Sequence, residues 1–154
     1  MAKKPEQVLW AHVDRIMGSM WKAQRHEDKY ASDIPDVSYS CNGVNGWIEL
    51  KVVGWWPQRD FPLTIPLTYF TPGQRNWLVA RGKNGSGHCF MFARIGTDYV
   101  LMRRDQLHML GHWTRDDWLW LGWGFWQRRL VARELAERLS SSTNRAGVDC
   151  DKVY

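Results

Sequence analysis

The sequence has few cysteines and no long apolar segment, and each absence excludes a class of protein. The three cysteines, Cys41, Cys89 and Cys150, form no CxxC pair and are odd in number, which argues against a disulfide framework or a zinc knuckle. No run of about 18 apolar residues is present that could span a membrane, and the opening residues MAKKPEQ contain no apolar signal segment. We therefore expect a cytoplasmic protein with no membrane partner.

Acidic side chains are outnumbered by basic ones, whereas tryptophan is abundant. Lys and Arg total 21 against 16 Asp and Glu, so the formal net charge is +5 at pH 7. Such a charge favours a polyanionic partner, for example a nucleic acid. The eleven tryptophans have two open explanations: exposed rings can stack on bases, or large rings can fill cores and interfaces.

Apolar periodicity gives a coarse order of elements. Spacings of three and four indicate helices, and alternation bounded by Gly, Asn or Pro indicates strands. The order of helix, strand, strand, helix, strand, strand predicts an α+β fold with a central mixed β-sheet flanked by helices. The predicted elements are a helix over 6–26, two strands within 34–53, a helix over 71–82, strands over 89–95 and 99–102, and an amphipathic helix over 125–139.

We predict a single domain over 1–139, with a core at about 6–104 and a helical, Trp-rich C-terminal extension over 105–139. The polar residues 140–154 are predicted to be a disordered tail. Residues 54–69 form a long predicted loop with Pro, Trp and Arg, and loops of this length are usually functional or mobile. This loop suits contact with nucleic acid, or alternatively with a second subunit.

The stretch 34–53 carries the candidate chemistry. Asp36 begins its first strand, and Glu49 and Lys51 lie in its second strand. Side chains alternate along a strand, so Glu49 and Lys51 project from the same face. Two carboxylates beside an ammonium group can hold a hard divalent cation and activate a water molecule. The spacing fits an ordinary edge hairpin with a cross-strand ion pair equally well.

Residues on either side of this hairpin are further candidates. Glu27 lies at or just beyond the end of the first predicted helix, next to Asp28, and the sequence does not say which of the two points inward. Thr71 is a suitable N-cap for the following helix, with Gln74 at its third position. Gln74 is therefore either a site residue or only the partner of Thr71 in a capping box.

Three blocks in this order resemble a known family. The IPD at 34–36, the IELK at 48–51 and the QRNWL at 74–78 are similar to the IPD strand, the IExK strand and the QxxWL helix of the VRR-NUC branch of PD-(D/E)xK nucleases. The resemblance covers roughly 25–102 and is strongest to small stand-alone phage-type members. An ExK pattern recurs by chance, whereas three blocks in order are more specific. The resemblance implies an α/β/α, restriction-endonuclease-like core.

The resemblance also implies a role for each matching residue. Asp36 and Glu49 would be metal ligands, Glu27 and the main-chain carbonyl of Leu50 would complete the metal shell, Lys51 would orient the attacking water and the scissile phosphate, and Gln74 would be an accessory catalytic residue. Mg²⁺ prefers carboxylate and water oxygens and activates bound water, so these residue types suit a Mg²⁺ cofactor that Mn²⁺ could replace.

The function implied by the resemblance is a Mg²⁺-dependent endonuclease that cuts branched DNA such as Holliday junctions. It would act as a homodimer, in the host-cell cytoplasm if it is phage-encoded. The loop 54–69 and the Trp-rich segment 113–126 are candidate dimer surfaces, because clustered aromatic and Arg residues suit interface cores. Two alternatives stay open: a nuclease acting on linear duplex or single-stranded DNA, and a catalytically silent nucleic-acid-binding module.

Overall fold

The structure is a computed structural model, and it describes residues 2–27, 33–66, 69–85 and 87–142. Its centre is a six-stranded sheet in which the strands lie in chain order. The elements are α1 (Pro5–Met17), β1 (Trp21–Arg25), β2 (Val37–Cys41), β3 (Val44–Val53), α2 (Pro72–Asn84), β4 (Cys89–Ile95), β5 (Asp98–Arg103), α3 (Arg115–Leu121), β6 (Gly124–Trp126) and α4 (Ala132–Ser140), with short 3-10 helices at Gly18–Met20 and Arg104–Met109.

The sheet is mixed, as the sequence predicts. β3 and β4 are parallel, and the other neighbouring pairs are antiparallel. The β2–β3 hairpin turns at Asn42 and Gly43, which both have positive φ values and are residue types that tolerate this conformation. A parallel pair needs a long crossover connection, which here includes α2.

Helices cover both faces of the sheet, so the predicted α+β architecture with flanking helices is confirmed. On one face, Leu9 of α1 and Leu139 of α4 pack with Leu50 of β3 in one apolar core. On the other face, Leu78 of α2 and Trp118 of α3 belong to a second core. β3 lies between the two cores, and its residues alternate between them.

The first predicted helix is too long. α1 ends at Met17 because Gly18, with φ +49°, reverses the chain in a conformation that Gly adopts at little cost. Residues 21–25 then form β1, paired antiparallel with β2. Trp21 is a buried residue of strand β1 and not of a helix. Its match to the helical spacing was therefore misleading.

The predicted helix over 125–139 is also wrong in its first half. β6 contains Phe125 and pairs with β5 at the edge of the sheet, and α4 begins only at Ala132. Arg128 has φ +60°, which no helix accommodates. The C-terminal extension therefore contributes a strand to the sheet. The disordered tail is predicted over 140–154, but Ser140 is the last residue of α4, and residues 143–154 lie outside the described residues.

Five of the eleven tryptophans are buried core residues. Those at 21, 113, 118, 123 and 126 are buried, which confirms the core explanation for these five rings. Because the segment 113–126 packs into its own chain, only Trp120 and Leu121 remain exposed there as large apolar side chains. Trp55 is 79% exposed and Phe61 is also exposed in the long loop. Within the described ranges, no helix combines the length and apolar character needed to cross a membrane.

Candidate active site

Two charged residues of β3 are buried on the face that α2 covers. Glu49 is 1% exposed and Lys51 is 7% exposed. They alternate with Ile48 and Leu50, which belong to the opposite core. The Lys51 ammonium donates to Glu49 Oε1 at 2.5 Å, so the two side chains share one face of the strand. Charged residues are rarely buried without a partner, and here each supplies one for the other.

Asp36 lies beside this pair. It immediately precedes β2, whose first residue, Val37, is opposite Ile48. The Leu50 N–H donates to Asp36 Oδ2 at 2.8 Å, and the Asp36 carbonyl accepts from the His26 N–H at 2.7 Å. The N–H and carbonyl of one strand residue point toward the same neighbour, so the Leu50 carbonyl faces the Asp36 side.

The two carboxylate oxygens of Glu49 differ. Oε1 accepts from Lys51 and from Gln74 Nε2, the latter at 2.7 Å. Oε2 is buried, and no hydrogen-bond donor reaches it from the described part of the chain. A buried acceptor without a partner is costly. The site is therefore incomplete without a further positively charged or hydrogen-bonding group.

The pKa values of Glu49 and Asp36 also indicate that the site lacks positive charge. Burial and, second to it, the Asp36 charge raise the pKa of Glu49 to about 7, although the Lys51 ammonium opposes the shift. Burial also raises the pKa of Asp36, opposed by the Leu50 N–H and by the charges of Lys51 and Arg25. Adjacent carboxylates that resist ionisation suit a bound cation, which stabilises both in the charged form.

Gln74 caps α2 and also contacts Glu49. Its Oε1 accepts from the Thr71 N–H at 3.1 Å, and Thr71 Oγ1 accepts from the Gln74 N–H at 3.2 Å, which is a complete capping box. Its Nε2 still reaches Glu49. The start of α2 therefore fixes the orientation of Glu49.

Glu27 is placed differently from Asp36 and Glu49. It follows β1 and not a helix, and its side chain is 65% exposed. Its Oε1 lies 3.6 Å from Arg25 Nη1 and accepts from Gln7 Nε2 at 3.4 Å. Across the described ranges, no three Asp, Glu, His or Cys side chains form a group able to hold a metal. The neighbouring Asp28 lies outside the described residues.

Glu6 and Arg25 are electrostatic neighbours of Asp36 that sequence reasoning missed. The charge of Glu6, in the first turn of α1, raises the Asp36 pKa, and that of Arg25 in β1 lowers it. In one continuous helix over 6–26 these two residues would be about 28 Å apart, at 1.5 Å per residue. The chain reversal at Gly18 brings Glu6 and Arg25 toward Asp36. Gly18 is the only sequence signal for this reversal.

The residues present fit a hard divalent cation. Three groups offer oxygen atoms as metal ligands: the Asp36 carboxylate, the unpartnered oxygen of Glu49 and the Leu50 carbonyl. Mg²⁺ is commonly bound through one or two carboxylates and keeps several water ligands. A cluster of three acidic side chains is therefore unnecessary for this metal.

Among the comparisons with known proteins, the structural one shows the fold. No protein-family model matches the chain, and no curated protein is similar to it in sequence. In structure the chain is similar to Archaeoglobus fulgidus Hjc, a Holliday junction resolvase from an archaeal hyperthermophile, with a TM-score of 0.51 and 13% identity over 82% of this chain and 98% of that chain. At this identity the likeness shows a shared fold, and the assignment to the VRR-NUC branch stays a prediction.

Proposed function

We propose that this protein is a metal-dependent endonuclease that hydrolyses phosphodiester bonds in branched DNA such as Holliday junctions. The observation that carries the proposal is the buried Glu49 oxygen without a hydrogen-bond donor, held beside Asp36 and Lys51. The fold shared with a Holliday junction resolvase and the net charge of +5 support DNA as the substrate.

Asp36, Glu49 and the Leu50 carbonyl would hold Mg²⁺, with Mn²⁺ able to substitute. Glu27, predicted as a further ligand, pairs with Arg25 and Gln7, so we assign the remaining coordination positions to water. When bound, such a cation lowers the pKa of a water ligand and neutralises charge that develops on the phosphate.

The protein's own residues orient this chemistry. The Lys51 ammonium is buried and hydrogen-bonded to Glu49, so it is positioned to stabilise a negatively charged phosphate in a site largely shielded from water. Gln74 holds Glu49 Oε1 and leaves Oε2 for the metal. Gln74 therefore acts as a positioning residue for Glu49 as well as a helix cap.

We further propose that the enzyme acts as a homodimer. A four-way junction has two strands to cut, and a two-fold dimer uses the same surface on both subunits to present two sites. Trp55 and Phe61 of the long loop, and Trp120 and Leu121 of α3, are exposed large apolar side chains. Their burial against a second copy offers one route to the dimer. A strictly monomeric protein by light scattering would contradict this part of the proposal.

Cleavage assays test the nuclease proposal. Wild type, Asp36→Ala and Asp116→Asn would be incubated with labelled junction, flap, linear duplex and single-stranded DNA, in Mg²⁺ or EDTA. Asp116 is an exposed residue of α3 and serves as the control. We expect wild type and Asp116→Asn to cut the junction in Mg²⁺ only, and Asp36→Ala to be inactive.

The other outcomes separate the alternatives. Metal-independent binding without cutting of any substrate contradicts the nuclease proposal and favours a silent binding module. Equal cutting of junction and linear duplex contradicts specificity for branched DNA and favours a general nuclease.

A further inference from the structure

The edge of the sheet next to the candidate active site carries a polar groove. The groove has a volume of about 480 Å³ and lies over β1, β2 and β3. The polar and aromatic side chains that line it are those of Lys22, Gln24, Ser38, Ser40, Asn45 and Trp47. None of these residues has a role in the chemistry proposed above.

Strand register explains why these side chains share one face. Lys22 is opposite Ser40, which is opposite Asn45, and cross-strand partners project from the same side of a sheet. One step along, Gln24, Ser38 and Trp47 form a second row of three in the same way. The groove floor is therefore two parallel rows that run across three strands.

These rows continue the face that holds the active site. Along β3, residues 45, 47, 49 and 51 alternate with the residues of the opposite core, so Asn45 and Trp47 project on the same side as Glu49 and Lys51. At about 3.3 Å per residue, Asn45 lies roughly 13 Å from Glu49 along the strand. A polymer bound at Glu49 can thus extend directly into the groove.

The groove has the chemistry of a nucleic-acid site. Its side chains supply one ammonium, two amides and two hydroxyls, and no acidic residue belongs to the part of its lining that the structure describes. Groups of this kind contact phosphate, sugar and base edges. Lys22 and Gln24 are exposed and are available to a ligand.

An aromatic wall borders the groove. The Trp47 ring lies 5.1 Å from the His26 ring and 5.0 Å from the Trp77 ring, and the Arg81 guanidinium is over both tryptophans. His26 Nε2 is hydrogen-bonded to Ser38 Oγ at 2.8 Å. These contacts hold Trp47 in place, and fixed aromatic rings are platforms for nucleobases.

We infer that this groove binds the DNA strand that carries the scissile phosphate, over the nucleotides next to the cut. Lys22 contacts a backbone phosphate there, and Gln24 and Asn45 contact sugar or base edges. The inference rests on the proposed nuclease function and adds the path that the substrate strand takes from Glu49 across β2 to the edge strand β1.

Charge reversal at Lys22 tests this path, with Arg133→Glu as a matched control. Arg133 is exposed on α4, which packs on the opposite face of the sheet. Binding of labelled junction would be measured by anisotropy in EDTA at several salt concentrations. We expect Lys22→Glu to weaken binding about 10-fold or more and to reduce the salt slope by about one, whereas Arg133→Glu has a much smaller effect.

Neutral methylphosphonate linkages, placed one at a time near the cut, locate the contact. If Lys22 binds a particular phosphate, neutralising that phosphate weakens wild type but has little further effect on the neutral variant Lys22→Gln, as in a double-mutant cycle. We expect this coupling within about four nucleotides of the cut, because the row that contains Lys22 meets β3 at Asn45, roughly 13 Å from Glu49. Gln24→Ala should raise KM with little change in kcat.

Two results would overturn the inference, and they differ from failure of the proposed function. If wild type cuts junctions but Lys22→Glu binds and cuts like Arg133→Glu, the groove is not the strand path while the nuclease stands. The groove is likewise excluded as the strand path if no methylphosphonate position couples to Lys22. If wild type neither binds nor cuts any DNA, the proposed function itself fails.

Discussion

Glu49 and Asp98 are both buried carboxylates, yet their surroundings differ. Asp98, at the start of β5, is 5% exposed, and both of its oxygens have donors. Oδ2 accepts from Trp56 Nε1 at 2.9 Å and from Arg115 Nη2 at 3.0 Å, and Oδ1 accepts from the Arg128 N–H at 3.1 Å. Glu49 is still more buried, but only Oε1 has donors.

The difference separates a structural carboxylate from the carboxylate that we propose as a metal ligand. Asp98 ties together the long loop through Trp56, α3 through Arg115 and the turn after β6 through Arg128. It needs no outside partner. Glu49 stands next to a second carboxylate and keeps one oxygen unused. Burial of a charge alone is therefore a weak sign of a site, whereas a buried carboxylate oxygen without a donor, next to a second carboxylate, is a better one.

The largest expected contrast is in cleavage. Glu49→Gln removes the charge of the proposed metal ligand, and we expect the loss of several kcal/mol of charge stabilisation to lower the cleavage rate about 1,000-fold or more. Asp98→Asn should cut at close to the wild-type rate at a temperature where it remains folded. Single-turnover cleavage of a labelled junction in Mg²⁺ measures both. An equal loss of cleavage rate in the two variants would contradict the difference in role between Glu49 and Asp98.

The next contrast is in stability. Asp98→Asn leaves the Arg115 guanidinium without its counter-charge and weakens charge-assisted hydrogen bonds, which should lower the free energy of unfolding by about 2–3 kcal/mol. Asp116→Asn, on an exposed position of the same helix α3, should change it by less than about 0.5 kcal/mol. Urea denaturation measures both values. An Asp98→Asn protein as stable as wild type would show that this cluster is dispensable.

The pH dependence of stability should show the cost of Glu49. Its pKa rises from 4.5 to about 7 in the folded protein, so between these values the folded state retains a proton that the unfolded state has lost. Without metal, the contribution of Glu49 to the free energy of unfolding is then largest below pH 4.5 and is lost as the pH rises through about 7. At 1.36 kcal/mol per pKa unit the fall is about 3 kcal/mol.

Denaturation in EDTA from about pH 5 to about pH 8 checks this slope. Glu49→Gln, which does not titrate there, should lose less stability than wild type over the same range. For Asp98→Asn, the free energy of unfolding should be lower than that of wild type but should change with pH by the same amount. Parallel curves for wild type and Glu49→Gln would contradict the raised pKa of Glu49.

The smallest effect separates the two contacts of Gln74. Gln74→Glu keeps an acceptor for the Thr71 N–H, so the helix cap survives, but it replaces the N–H donated to Glu49 Oε1 with a second carboxylate. We expect cleavage to fall about 10-fold, equivalent to about 1.4 kcal/mol, with the α2 cap retained. Gln74→Ala loses both contacts and is the comparison. Wild-type cleavage by Gln74→Glu would limit Gln74 to capping.

Local patterns in the sequence predicted the centre of the molecule well. The β2–β3 hairpin follows from period-two alternation and an Asn-Gly turn, and the α2 cap follows from Thr71 and Gln74. These signals lie within a few residues of each other. Alternation also placed Glu49 and Lys51 on one face, as their direct contact shows.

The edges of the sheet could not be predicted in the same way. β1 and β6 are short strands whose stability comes from pairing with β2 and β5, and such pairing overrides local helical spacing. For the same reason the sequence missed the proximity of Glu6 to Asp36. The position of Glu6 relative to Asp36 depends on the chain reversal at Gly18.

The most direct test of the account is the effect of Mg²⁺ on thermal stability. A ligand that binds only the folded state raises the melting temperature, so Mg²⁺ should raise that of wild type and of Asp98→Asn by similar amounts. Glu49→Gln should show little or no rise. An equal rise in Glu49→Gln and wild type would contradict the claim that the unpartnered oxygen of Glu49 is a metal ligand.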